Sequence, residues 1–235
     1  GKDGGRTVLI SGCIDTQKVH ISSAIASGYK YMLIVTSDEA KARKMCDDAS
    51  FFNKEAIYYP AKDAIFYSAD VHGNQITGER LRCISRIINH SSTGEGVLTV
   101  VTTMDGIADR LIPVERFKEA VITLDYSSEI EPEKLAKKLV AMGFVRTGMV
   151  EDKGQFAIRG GIIDIFSYTD EAPVRIELWD TEVDSIRMFD VESQRSIERL
   201  QSYSIFPATE YIFTEDELKN GLYNIKEECD RQLEC

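Results

Sequence analysis

The sequence predicts an α/β protein in two parts: a parallel-sheet domain over residues 1–118, then a smaller α+β domain with an antiparallel sheet over residues 119–205. In the first part, short β-branched apolar runs alternate with amphipathic runs, the order that builds a parallel sheet covered by helices. In the second, one amphipathic run precedes a succession of strand-like runs. The 235 residues suffice for both domains, because a domain usually takes roughly 100–200 residues.

The elements of the first part are assigned in chain order. Each strand is a short apolar run, and each helix repeats its apolar residues at spacings of three and four. Ser37 is expected to open the second helix. The predicted strands are Thr7–Ile10, Tyr31–Val35, Ala56–Tyr59 and Val97–Val101, and the predicted helices are Thr16–Ala26, Asp38–Asp48 and Gly78–Asn89.

The second part opens with a predicted strand, Val121–Leu124, and a predicted helix, Glu131–Met142. Pro132 suits the first turn of that helix, and Gly143 supplies the left-handed residue that ends it. A meander of strands is expected to follow: Gln155–Ile158, Ile162–Phe166, Val174–Leu178, Ser185–Phe189 and Arg199–Ile205.

The last segment, residues 206–235, is expected to return to the first domain or to open a further one. It ends in a predicted helix, where Thr214 and Glu217 have the spacing of a capping box. The chain starts Gly-Lys-Asp, without methionine or the apolar core of a signal peptide, which is typical of a piece excised from a longer protein.

Composition excludes several functions. A net charge of -11 argues against a nucleic-acid clamp, since phosphate binding depends on Lys and Arg. The five cysteines form no CxxC pair and the three histidines no HExxH motif, so we expect no metal site and a reducing, cytoplasmic location. No run approaches the roughly 20 apolar residues of a membrane span, so no membrane partner is expected.

The turn after the first predicted strand follows a P-loop only in part. Against G-x-x-x-x-G-K-[ST], Gly12 and Lys18 stand in their places, but Gln17 replaces the second glycine and Val19 the hydroxyl that binds magnesium. A β-carbon at Gln17 disfavours the backbone that points amides at phosphate, and valine cannot bind magnesium. The first domain is therefore predicted to be P-loop-like but degenerate, although an ordinary strand-to-helix turn explains the residues as well.

Arg159, Arg175 and Trp179 are the candidate binding residues of the second domain. Arg159 precedes the Gly160-Gly161 turn, and the two-residue period of a strand places Arg175 and Trp179 on one face. Arginine and tryptophan are the residues that dominate protein interfaces. The alternative is that Trp179 packs under a loop while the arginines pair with Glu177 or Asp180, and the residues alone do not decide between the two.

Several segments carry a resemblance to a known family. "GQFAIRGGIIDIF", "PVRIELWDTEVDSIRMFDVESQRS" and "FPATE" resemble the N-terminal region of the bacterial transcription-repair coupling factors (Mfd), itself similar to the excision-repair protein UvrB. The resemblance extends back through "YYPAKDAIFYS" and "ERLRCISRI" to the loop at Gly12. It covers essentially the whole chain.

This resemblance implies an adaptor that recruits UvrA, so coupling stalled transcription to nucleotide excision repair. The family's UvrA-binding arginines and aromatic residue correspond to Arg159, Arg175 and Trp179, where tryptophan replaces the more familiar phenylalanine. It also implies that ATP and magnesium belong to C-terminal motor domains absent here, so this region has no cofactor and no catalytic residue. RNA polymerase and DNA are expected to bind other domains of the full-length protein, an ATP-dependent DNA translocase.

Two other functions stay open. A residual nucleotide-binding module would need Lys18 to hold phosphate unaided. A UvrB-type module that binds damaged DNA would need the long aromatic hairpin of UvrB, for which there is no room between Tyr59 and Glu79.

Overall fold

The structure is a computed structural model, and it describes residues 7–53, 55–62, 71–109 and 111–233. The chain divides into two compact units, residues 1–110 and 111–235. The segment 111–118 and the C-terminal segment 206–235 both belong to the second unit.

The first unit is a three-stranded parallel sheet with helices packed against it. Strand order in the sheet is β1-β3-β2, and β3 pairs in parallel with both neighbours. The prediction of a parallel sheet is therefore confirmed. The elements are α1 (Asp15–Ala26), β1 (Tyr31–Thr36), α2 (Glu39–Phe52), β2 (Ala56–Tyr59), α3 (Val71–Thr93), β3 (Leu98–Thr103) and α4 (Met104–Ala108).

Helices cover both faces of this sheet. On one face Val19 of α1 and Met45 of α2 pack against Val101 of β3. On the other, the guanidinium of Arg80 of α3, which is fully buried, lies 4.3 Å from the centre of the Tyr59 ring of β2. Strand side chains alternate between the two faces, and β3 is buried on both. Edge strand β1 is covered on one face only, since Met32 is buried while Leu33 is 60% exposed.

Two expectations for the first unit are wrong. Thr7–Ile10 forms no strand, and Val8 and Leu9 are 72% and 91% exposed. Strand propensity reflects packing on a half-buried sheet, so it has little effect where a segment buries no side chain. Helix α2 is capped by Asp38 rather than Ser37, since the Asp38 Oδ1 accepts a hydrogen bond from the Lys41 amide at 2.9 Å.

The second unit combines a six-stranded sheet, a two-stranded ribbon and three helices within its described residues. The large sheet has the order β10-β9-β8-β7-β6-β5 and is antiparallel except for the β5–β6 pair, and β4 pairs with β11 in the ribbon. The elements are α5 (Val114–Ala120), β4 (Ile122–Asp125), α6 (Pro132–Ala141), β5 (Val145–Arg146), β6 (Gln155–Arg159), β7 (Ile162–Phe166), β8 (Val174–Trp179), β9 (Glu182–Phe189), β10 (Ser196–Arg199), β11 (Ser202–Ile205) and α7 (Glu215–Leu233).

The core of this unit lies between α6 and one face of the large sheet. Leu139 of α6 packs with Ile163 of β7 and Ile176 of β8, and Tyr203 of the ribbon joins the same cluster. The predicted α+β domain with an antiparallel meander is thus confirmed. Because strand side chains alternate, the residues between these core positions lie on the opposite, outer face of the sheet.

The single strand predicted over Arg199–Ile205 is wrong. The chain forms β10 on the edge of the large sheet and then β11 in the ribbon, with Leu200 and Gln201 between them. Two short strands in different sheets thus replace the single predicted strand, because the chain changes pairing partner between them and an apolar pattern does not record a change of partner. Among the described residues, no helix is long and apolar enough to cross a membrane.

Candidate protein-docking face

The loop from Gly12 to Val19 in the first unit forms hydrogen bonds among its own residues. Gly12 has a φ of 79°, in the left-handed region. The Ile14 amide donates a hydrogen bond to the Gln17 Oε1 at 3.3 Å, so Gln17 occupies a helix N-terminal amide of the kind that binds phosphate in a P-loop. The Lys18 ammonium donates to the Asp15 Oδ1 at 3.0 Å. That hydrogen bond is the main reason why the pKa of Asp15 is lowered.

Val19, which stands where a P-loop has its hydroxyl, is fully buried. It packs with Ala42, Met45 and Ala49 of α2. The position is therefore part of the core of the first unit. No group of three or more His, Cys, Asp or Glu side chains able to hold a metal ion occurs in the described part of the chain.

The outer face of the six-stranded sheet carries the predicted binding residues. Asp164 of β7 lies opposite Arg175 of β8, which lies opposite Arg187 of β9. These three residues stand in a row across the sheet, while their chain neighbours Ile163, Ile176 and Ile186 point into the core. Polar and apolar residues therefore alternate along the strands, and the polar set is on the face away from α6.

Arg159 and Arg175 share one carboxylate. The Arg175 Nε lies 2.7 Å from the Asp164 Oδ1, and the Arg175 Nη2 lies 2.9 Å from the Asp164 Oδ2. The Arg159 Nη2 reaches the same Oδ2 at 2.5 Å. The bond to Asp164 is the main reason why the pKa of Arg175 is raised. The structure thus brings both predicted arginines together around an acidic residue that sequence analysis did not single out.

A second ion pair lies beside the first. Arg187 donates to Glu177, which also accepts a hydrogen bond from the Ser185 hydroxyl at 2.7 Å. Together with Arg159, Arg175 and Asp164, the network holds three guanidinium groups and two carboxylates, so it carries an excess of one positive charge. This local excess contrasts with the net charge of -11 over the whole chain.

Trp179 lies at the end of β8 and is 79% exposed. It pairs with Glu182 across a two-residue turn in which Asp180 has a φ of 59°. The alternative in which Trp179 packs under a loop is therefore wrong, and Arg175 pairs with Asp164 rather than with Glu177 or Asp180. A large exposed aromatic side chain on the same sheet face as arginines is typical of a surface that binds another protein.

Sequence analysis missed three members of this face. The two-residue period of β7 and β9 places Asp164 and Arg187 on the outer face, so the sequence pattern could have identified both. Gln194 could not be predicted from a strand pattern, because it lies in the turn after β9. Its Oε1 accepts a hydrogen bond from the Arg175 Nη2 at 2.8 Å. Its φ of 57° belongs to a turn conformation that no strand period describes.

Comparisons with known proteins find a match over the part of the chain that carries this face. Residues 122–211, which include the whole docking face, match the family model of the UvrB interaction domain. This region of the chain is therefore similar to the UvrB interaction domain.

The particular relatives are transcription-repair-coupling factors. That of Bacillus subtilis (strain 168) is 37% identical over 226 residues, which is 95% of this chain and 19% of the relative. That of Staphylococcus aureus (strain Mu50 / ATCC 700699) is 34% identical over 240 residues, or 98% of this chain and 20% of the relative. The resemblance to this DNA-repair family is thus confirmed, and the chain spans about a fifth of the length of these curated relatives.

Proposed function

We propose that this chain is the UvrA-binding adaptor of a transcription-repair coupling factor, and that it links stalled transcription to nucleotide excision repair. The observation that carries this proposal is the exposed Trp179 on the same sheet face as a preassembled arginine pair, in a region that matches the UvrB interaction domain. Arg159, Arg175 and Trp179 are the residues assigned to the contact with UvrA.

The chemistry of this face suits binding to a protein. Trp179 offers a large apolar area with few rotatable bonds, so burying it against a partner costs little conformational entropy. Arginine forms paired hydrogen bonds to carboxylates, which fixes the orientation of a partner. Arg175 and Arg187 are already held by ion pairs within the sheet, so little rearrangement of these side chains is needed on binding.

We further propose that the degenerate P-loop binds neither ATP nor magnesium and that this region is not an enzyme. In support, Gln17 and Lys18 are engaged with Ile14 and Asp15, and Val19 is a core residue. ATP and magnesium then belong to motor domains elsewhere in the longer protein, as do the contacts with RNA polymerase and DNA. The cytoplasm is the proposed site of action.

Calorimetry tests the nucleotide proposal. Titration of the chain with ATP and magnesium should give no binding heat, because the amide and the ammonium that would contact phosphate already have partners. The Gln17→Gly variant frees the Ile14 amide and serves as a comparison. Binding in the micromolar range by the parent would overturn the non-enzymatic assignment.

A competition isotherm tests the proposed function. The parent chain should bind purified UvrA, and an excess of UvrB should displace it because both would use the same type of domain. Absence of binding at tens of micromolar, a range in which specific protein complexes are normally observed, would contradict the proposal. Binding that UvrB does not displace would place the contact outside the UvrB interaction domain.

A further inference from the structure

Asp164 is a buried charge at the centre of the docking face. Its side chain is 1% exposed, and both of its oxygens accept hydrogen bonds from guanidinium groups. A buried carboxylate is strongly unfavourable unless it is paired. Arg159 and Arg175 share the Asp164 carboxylate, so both ion pairs depend on this one residue.

Arg175 is held in place from three directions. Besides its two hydrogen bonds to Asp164, its Nη2 donates to the Gln194 Oε1 at 2.8 Å, and its guanidinium lies 4.3 Å from the centre of the Phe189 ring. Its side chain is only 12% exposed. Turning it toward a partner would break these contacts, so Arg175 can meet UvrA only through its small exposed part and otherwise holds the residues around it in place.

Arg159 is held at one point and is otherwise accessible. One of its nitrogens, Nη2, contacts Asp164, while the side chain is 42% exposed. Arg159 pairs with Ile162 of β7, and Ile162 pairs with Glu177, two residues before Trp179. The accessible guanidinium and the exposed indole therefore belong to the same end of the sheet.

We propose that Asp164 is the positioning residue of the docking face, and that with Gln194 it fixes Arg175 and orients Arg159 to bind a carboxylate of the partner beside Trp179. This inference rests on the proposed function, since the partner is taken to be UvrA. The carboxylate follows from the charges: one anion shared by two guanidinium groups leaves one positive charge without a counterpart.

The Asp164→Asn variant separates positioning from simple charge. It removes a negative charge from the face, so if only net charge mattered, the affinity for an acidic partner would rise. If Asp164 positions the arginines, affinity falls by about ten-fold or more, the scale set by an imperfectly paired charge at an interface. A binding isotherm with UvrA decides between the two explanations by the direction in which the affinity changes. A thermal melt of each variant gives the folded fraction by which the affinity is corrected.

Two further variants make the test independent of folding. Gln194→Ala leaves every charge in place and removes one hydrogen bond from Arg175, so it should weaken binding less than Asp164→Asn but in the same direction. Asp184→Asn is the matched control, because it removes an exposed carboxylate from the neighbouring β9 and should not weaken binding. Loss of affinity in Asp184→Asn equal to that in Asp164→Asn would overturn the positioning role.

The free protein provides a readout that does not need UvrA. In the parent, the Nε proton of Arg175 should exchange slowly with solvent in an NMR spectrum, because it is bonded to Asp164 and largely buried. In Asp164→Asn it should exchange faster. Unchanged exchange would contradict the proposal.

The outcomes separate this inference from the proposed function. If the parent does not bind UvrA, both the proposed function and the proposed carboxylate contact are wrong. If the parent binds, and Trp179→Ala and Arg159→Ala weaken binding while Asp164→Asn does not, the proposed function stands and only the positioning role is overturned.

Discussion

Arg159 and Arg175 donate to the same carboxylate but depend on it to different degrees. Arg175 is nearly buried, and it makes two hydrogen bonds to Asp164 and one to Gln194. Arg159 is well exposed and makes one. Two residues with the same expected role in binding therefore have different roles in the fold, and only the structure separates them.

Alanine substitutions should show this difference. Arg175→Ala leaves the buried Asp164 with Arg159 alone and should lower the free energy of unfolding by about 3 kcal/mol, as expected when a buried ion pair loses one partner. Arg159→Ala should lower it by less than about 1 kcal/mol, because exposed pairs are screened by solvent. Urea unfolding of the two variants measures both. Equal losses in the free energy of unfolding would show that Arg175 stabilises the fold no more than Arg159 does.

Asp170, on the loop before β8, is a partly buried acidic residue. Burial raises its pKa above the ordinary value, although hydrogen bonds from Tyr203, at 2.5 Å, and Thr169 act in the opposite direction. The folded state thus holds a proton at Asp170 more tightly than the unfolded state does. Its contribution to stability is present at low pH and is lost as the pH rises through the folded-state pKa.

The Asp170→Asn variant tests this assignment. Asparagine can accept the Tyr203 hydrogen bond without a buried charge, so the variant should be more stable than the parent at neutral pH. The difference should shrink as the pH falls toward 3.8, the ordinary aspartate value. Urea midpoints across this pH range measure it, with the exposed Asp152→Asn as control. A constant difference at every pH would rule out titration of Asp170 as the cause.

At the scale of elements, the sequence predicted well those segments whose own pattern determines their structure. Ala56–Tyr59 and Ile162–Phe166 have the predicted ends, and Gly143 ends α6 with a φ of 89°. Thr7–Ile10 and the division into β10 and β11 were mispredicted, because each depends on which neighbour a strand pairs with. Pairing is a property of the folded chain and leaves little trace in a local pattern.

The turn that ends α6 should tolerate no side chain. A Cβ at Gly143 would lie 2.8 Å from side-chain atoms of Thr209, in a left-handed conformation. Gly143→Ala should therefore lower the free energy of unfolding by about 2 kcal/mol or more. Gly148→Ala is the matched control, since a Cβ there meets nothing within 4 Å. Comparable melting temperatures for the two variants would contradict the argument.

At the scale of the whole molecule, the overall acidity differs from the local charge of the candidate docking face. The chain carries a net charge of -11, yet the network on the outer face of the large sheet has an excess of one positive charge. The residues alone left Arg159, Arg175 and Trp179 as candidates and the family resemblance assigned them to binding, whereas the shared Asp164 and the support from Gln194 became visible only in the fold. The site is therefore a set of residues drawn from four strands and a turn, with Trp179 at its most exposed point.

The affinity of Trp179→Ala for UvrA tests the central claim most directly. Because Trp179 is 79% exposed, its removal should leave the melting temperature almost unchanged, while binding to UvrA weakens by about 2 kcal/mol or more, as for an interface hot spot. Phe51→Ala, which removes an aromatic side chain that is 89% exposed in the first unit, should bind like the parent. Parent-like affinity of Trp179→Ala, or an equal loss in Phe51→Ala, would contradict the assignment of this face to UvrA.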